Sequence, residues 1–209
     1  MKNFLLIDDH EVIRTGIKYA LLDSYRPCEI FEAFDQESAV TQIKAREYEL
    51  IIMDVQMPDT NSLGLMDYIK TTREGAKVLI FSMSAEKMYA RKFLKAGAKG
   101  YISKSAGLPE LRKAIDLILQ GRKYISEELA AQWAVDFGKE DEDNPFENLS
   151  TREFEIALLL TTGKTVTQIA SLLNINISTV GTHKGRIFEK LGVQNLIELV
   201  ELAKLYEVQ

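Results

Sequence analysis

Five short apolar runs, each separated from the next by a stretch of helical periodicity, constrain this chain more than any other feature. The runs are FLLI at 4–7, EIFEA at 29–33, ELIIM at 49–53, KVLIFS at 77–82 and KGYIS at 99–103. Between them, apolar residues recur at helical spacing: Val12, Ile13, Ile17, Ala20 and Leu21, then Ala39, Val40 and Ile43, then Leu65, Met66 and Ile69. A further helix follows Pro109 through Leu111, Ile115 and Ile118 and stops near Gly121. Strands alternating with helices predict an α/β fold: a doubly wound, five-stranded parallel sheet covered on both faces.

A chain of 209 residues, 46% hydrophobic and 27% charged, has room for a second domain beside this one. A change of composition marks where it starts. GKEDEDNPFEN, residues 138–148, sets one lysine against five acids with little to bury, and reads as a linker. The preceding SEELAAQWAVDF is a candidate connecting helix that carries Trp133. Beyond the linker the pattern is all-helical. Ser150 with Glu153, Thr165 with Gln168 and, more loosely, Asn195 with Glu198 have capping-box spacing. The predicted division is 1–121, a linker over 122–148, and 149–209.

Several classes are excluded. The single cysteine, Cys28, permits no internal disulfide, and no apolar stretch approaches the roughly 20 residues of a membrane span. MKNFLLIDDH becomes charged too soon for a secretory signal, so a cytoplasmic protein without a membrane partner is expected. A formal net charge of −5 means that any nucleic-acid footprint must be local.

The strand ends carry the chemistry. In a doubly wound sheet, ligands gather beyond the carboxyl ends of the strands. Strand one ends in Asp8 and Asp9, strand three in Asp54, strand four in Ser82, and strand five is followed by Lys104. Adjacent carboxylates repel, and near a core they also lose hydration, so a cation must offset the cost. Mg²⁺ takes oxygen ligands, which Asp9, Asp54 and the backbone carbonyl of Gln56 can supply. Asp54 is then a candidate nucleophile toward phosphorus, forming an acyl phosphate. Lys104 would pair with the transferred charge, and the Ser82 hydroxyl would donate to one of its oxygens.

LIDDH, IIMDVQMPD, VLIFSMS and GAKGYISKSA stand in the order and at the spacing of the receiver domain of two-component response regulators, which residues 1 to about 121 resemble. The resemblance implies a flavodoxin-like fold and phosphoryl transfer to Asp54 from a histidine kinase. It also implies Mg²⁺ among Asp8, Asp9, Asp54 and the Gln56 carbonyl, and a switch pair of Ser82 and Tyr101. One departure stands out. The family usually has glycine where this chain has Ser62, so either Gly64 or a left-handed Asn61 is expected to accommodate the turn.

In the second half, TVTQIASLLNINISTVGTHKGRIFEKLGV predicts a helix over 165–173, a turn containing Asn174 and Asn176, and a second helix from Ser178. At about 100° per residue, Val180, Ile187 and Leu191 share one face of that second helix. Thr182, Gly185, Arg186 and Glu189 share the other. Residues from LSTREFEIALLL through FEKLGV resemble the LuxR-type DNA-binding domain, making the chain similar to NarL/FixJ-class response regulators. The resemblance implies that Thr179, Lys184 and Arg186 touch phosphates or the groove edge, with Thr182 and His183 near it. Two base-reading positions of the family are Gly181 and Gly185, which supply no side-chain hydrogen bond. His183 is equally readable as a structural histidine.

The expected function is a phosphorylation-controlled, DNA-binding transcriptional regulator rather than an enzyme. Its partners would be a histidine kinase, DNA and, when phosphorylated, a second copy of the chain. Leu196, Leu199, Val200 and Ala203 form a candidate dimer surface. The rival readings are a metal-dependent phosphohydrolase with an aspartyl nucleophile and a regulator that binds DNA without phosphorylation.

Overall fold

Strands and helices alternate as the apolar runs require: β1 (Lys2–Ile7), α1 (Glu11–Ser24), β2 (Cys28–Ala33), α2 (Gln36–Ala45), β3 (Leu50–Met53), α3 (Ser62–Thr72), β4 (Val78–Ser82), α4 (Glu86–Lys95), β5 (Gly100–Ser103), α5 (Gly107–Leu119) and α6 (Glu127–Asp136). The structure is a computed structural model that describes residues 1–57, 60, 62–83, 86–136, 144–206 and 208. It divides into two units, Met1–Gly138 and Lys139–Gln209.

All strand pairings in the first unit are parallel, in the order β2-β1-β3-β4-β5. Every residue of β3 and β4 is buried, which is why those runs are continuously apolar rather than alternating. Their side chains pack with Phe4 and Leu6 of β1 against Ile17 and Leu21 of α1 and against Leu111, Ile115 and Ile118 of α5. The connections from β1 and β3 diverge, so a crevice opens between their carboxyl ends.

Two expectations shift in this unit. Val12, read as apolar face, is 84% exposed, and Arg14 is buried in α1 instead. The segment expected to begin a linker at residue 122 is still core. Tyr124 is buried, bridges to Gly100 and donates its N–H to the Lys99 carbonyl at 2.9 Å, covering the edge of β5. A Cβ on Gly100 would meet the Tyr124 carbonyl at 3.0 Å, so the close approach requires glycine there.

The second unit comprises a 3₁₀ turn (Pro145–Asn148), α7 (Thr151–Thr161), α8 (Val166–Leu172), α9 (Ile177–Leu191) and α10 (Leu196–Leu205). Ser150 and Thr165 form complete capping boxes, whereas Asn195 caps α10 without the reciprocal bond. Asn174 takes a left-handed φ of 49° and turns the chain between α8 and α9, as asparagine readily does.

The expected boundary at 149 is corrected. Phe146 is 2% exposed and meets Phe154 and Tyr206 edge-on, with ring centroids 6.4 and 6.5 Å away. The end of the acidic stretch is therefore part of this unit's core, because one aromatic ring outweighs its polar neighbours. Residues 138–143 of that stretch lie outside the described residues. The apolar stripe on α10 divides: Leu199 and Ala203 are fully buried within the unit and Val200 is half-buried, while Leu196 is exposed together with Ile197 and Leu205.

Candidate functional site

Ile7 and Met53 are register partners, so Asp8 and Asp54 leave the sheet side by side at the crevice. Their backbones extend the ladder: the Asp54 N–H donates to the Ile7 carbonyl at 2.8 Å and the Asp8 N–H to the Ala33 carbonyl at 3.1 Å. Donors surround the Asp54 carboxylate. Ser82 Oγ donates to Oδ1 at 2.7 Å, the Gln56 N–H to Oδ1 at 3.0 Å, and Lys104 Nζ to Oδ2 at 2.6 Å.

Lys104 Nζ also lies 2.6 Å from Asp8 Oδ2, and the lysine side chain is only 3% exposed. Burial pulls its pKa down, but hydrogen bonds and charge from Asp54 and Asp8 outweigh burial and hold it above the usual lysine value. The ammonium thus stays charged between two buried carboxylates. The cation demanded by the acidic pair is supplied in part by the protein itself.

Asp9 stands apart from the Lys104 pairing. Its Oδ1 is buried and receives no hydrogen bond, with His10 Nδ1 2.8 Å away. His10 also donates its N–H to Asp8 Oδ1 at 2.8 Å. Ligating atoms of Asp8, Asp9, His10 and Asp54 all lie within 4.8 Å of one another. An oxygen-rich set with a buried carboxylate oxygen lacking a donor fits a hard divalent cation. Gln56 is exposed beside it, with its N–H committed to Asp54.

Tyr101 is fully buried in β5, in register with Ile80, and Ser82 is turned toward Asp54. Ser62 begins α3, and its hydroxyl donates to the Val55 carbonyl at 2.8 Å. Gly64 lies inside the helix, so it does not relieve the turn, and Asn61 lies outside the described residues.

In the second unit, Val180, Ile187 and Leu191 face inward from α9. Thr182, Gly185, Arg186 and Glu189 are exposed together, as the periodicity required. Thr179 and Lys184 are half-buried, and Lys184 Nζ sits 5.3 Å from the Phe188 ring centroid. His183 is half-buried, with a buried Nδ1 that makes no hydrogen bond. Burial pushes its pKa down; Glu153 opposes this, and Arg186 and Arg152 reinforce it.

Residues 4–116 match the response regulator receiver domain, and residues 147–203 match bacterial regulatory proteins of the luxR family. The chain is a response regulator. The regulator is 34% identical over 204 residues to response regulator UvrY of Escherichia coli strain K12, covering 97% of this chain and 94% of UvrY. To response regulator GacA of Pseudomonas aeruginosa it is 33% identical over 204 residues, covering 97% of this chain and 95% of GacA. All three are of the NarL/FixJ class. The solved complex of the response regulator RcsB with DNA matches with a TM-score of 0.59 at 25% identity, covering 97% of this chain and 98% of RcsB. No helix among the described residues of the regulator is long and apolar enough to cross a membrane.

Three residues of the receiver site escaped the sequence reading. Arg14 donates from Nη1 to the Asp8 carbonyl at 2.5 Å and from Nε to Glu32 at 3.3 Å, while Lys18 holds Glu32 from the other side at 2.6 Å. Together they brace the end of β1. The available signal was a charged residue three positions before Ile17, on the helix face that should be apolar. His10, to which the sequence reading gave no role, joins the ligand cluster.

Proposed function

We propose that this response regulator accepts a phosphoryl group on Asp54 from a phosphohistidine of a partner kinase, and that the acyl phosphate controls DNA binding through α9. The observation that carries the reading is the buried Asp54 carboxylate held by Ser82 and Lys104 at the crevice of the sheet. A carboxylate oxygen of Asp54 attacks phosphorus, the P–N bond breaks, and the imidazole leaves and takes up a proton. Lys104 then pairs with a phosphoryl oxygen, and Ser82 transfers its hydrogen bond from the carboxylate to the new group. Tyr101, packed in β5, completes the switch with Ser82.

Asp8, Asp9, Asp54 and the Gln56 carbonyl would hold Mg²⁺, with His10 at the edge of the cluster. When bound, the ion supplies neutralising charge between carboxylates and phosphoryl oxygens. Among the described residues no side chain is placed as a general base for water, so one phosphoryl group per chain is expected rather than turnover. Phosphorylation would favour a homodimer, presenting two copies of α9 to paired half-sites. Thr179, Thr182, Lys184 and Arg186 would meet the DNA, with His183 packed behind them. A cytoplasmic location agrees with this role.

The test is incubation with acetyl phosphate and Mg²⁺ followed by mass spectrometry of the full chain. One added phosphate is expected, none in Asp54→Asn, and none after chelation of the metal. Label retained in Asp54→Asn would move the acceptor elsewhere. Continuous phosphate release would favour the phosphohydrolase, and DNA affinity indifferent to the donor would favour phosphorylation-independent binding.

A further inference from the structure

Ser62 stands where the family usually has glycine, and its side chain reaches back across the acceptor loop. The residue is fully buried at the start of α3, and its Oγ donates to the carbonyl of Val55, seven positions upstream, at 2.8 Å. The Val55 carbonyl and the Gln56 N–H belong to one planar peptide group. The N–H edge of that group donates to Asp54 Oδ1 at 3.0 Å. Ser62 and Asp54 therefore grip the same peptide plane from opposite edges.

The consequence is directional. A peptide free to rotate through the flanking ψ and φ angles can turn its N–H away from the carboxylate and present its carbonyl instead, which two negative oxygens disfavour. A hydroxyl bonded to the carbonyl keeps that oxygen away from Asp54 and the N–H toward it. Glycine at position 62 would leave the carbonyl without this donor. The next carbonyl along the chain belongs to Gln56, two rotatable bonds away, so anchoring this plane narrows the directions in which that oxygen can point.

We infer that Ser62 is a positioning residue for the phosphoacceptor. Its hydroxyl fixes the Val55–Gln56 peptide, and through it the orientation of Asp54 Oδ1 and of the Gln56 carbonyl. The inference rests on reading Asp54 as the acceptor and Gln56 as a metal ligand.

Ser62→Ala removes the hydroxyl with little change of volume. In the metal-free full chain, amide hydrogen exchange at Gln56 should accelerate about tenfold, the loss expected for one buried hydrogen bond. Exchange at Ile52 and Met53 in β3 should not change. Mg²⁺ titrated alone should bind several-fold more weakly, and acetyl phosphate should label Asp54 more slowly but still once per chain. Unchanged Gln56 exchange together with unchanged Mg²⁺ affinity would overturn the inference. So would faster exchange throughout β3, which would mark a general loosening rather than one peptide held by one hydroxyl. If the unsubstituted chain takes neither Mg²⁺ nor phosphoryl, the acceptor reading fails, while exchange at Gln56 still reports on the clamp.

Discussion

Lys104 is the residue on which the acidic site turns. Breaking a buried ion pair by removing one partner costs about 3 kcal/mol or more, because the remaining charge is left uncompensated. Lys104→Met should therefore lower the stability of the receiver unit by about that amount in chelator, and Mg²⁺ should restore more stability to the variant than to the parent. Thermal unfolding with and without the metal reads both effects. The raised lysine pKa makes its contribution fully present below the ordinary lysine value and lost only as pH rises through the folded one, so neutral pH leaves the pair intact. His183 behaves oppositely. Its folded pKa is lowered, so as pH falls past the ordinary histidine value the unfolded chain takes up a proton before the folded one does, and stability declines. The protection of the Val180 and Ile187 amides, taken relative to the intrinsic exchange rate at each pH, should fall between pH 7 and pH 5, and His183→Leu should remove that dependence. A profile unchanged by the substitution would show that other groups control it.

Among the elements, α9 carries the clearest conflict between stability and sequence. Gly181 and Gly185 sit within a 15-residue helix, and a Cβ added at either meets nothing within 4 Å. The packing of the domain does not require glycine at these positions. Each costs the helix about 1 kcal/mol relative to alanine, so Gly181→Ala and Gly185→Ala should each raise the stability of the C-terminal unit by about that amount. If the glycines admit the close approach of DNA, the same substitutions should weaken binding, measured as affinity at fixed salt. The elements themselves were legible because their signals are local: β3 and β4 are continuous apolar runs, and the caps at Ser150 and Thr165 lie three residues from their partners. The convergence of Asp8, Asp54, Ser82 and Lys104 was legible for a related reason, since a parallel sheet brings all strand ends to one side. What stayed hidden depends on partners distant in sequence. Arg14 is buried because Glu32 and the Asp8 carbonyl receive it, and Val12, apolar and at helical spacing, is nonetheless exposed. The α10 stripe divides for the same reason, Leu199 and Ala203 entering the core and Leu196 staying exposed, because periodicity identifies an apolar face without saying what covers it.

At the scale of the whole molecule, composition misplaced both ends of the linker. Acidic residues dominate any average taken over 138–148, yet a domain boundary is set by which side chains enter a core, and Tyr124 and Phe146 do so on either side. Each unit therefore takes in more of the sequence than polarity suggests. Phe146 is the sharper test, because its ring is almost fully buried between Phe154 and Tyr206 and belongs to the second unit alone. Truncating a buried phenylalanine to alanine removes apolar burial and leaves a cavity, together about 3–5 kcal/mol. A small helical unit has a total stability of comparable size, so Phe146→Ala should largely unfold it at ambient temperature. The receiver unit has its own core and should be untouched. Residue-resolved hydrogen exchange on the full chain should show protection lost in α7, α9 and α10 but kept in β1, β3 and β4. Acceptance of one phosphoryl group on Asp54 should persist while DNA binding disappears. Protection lost in both units together would show that they fold as one cooperative body. Protection kept in both would show that the acidic stretch is a linker to its end.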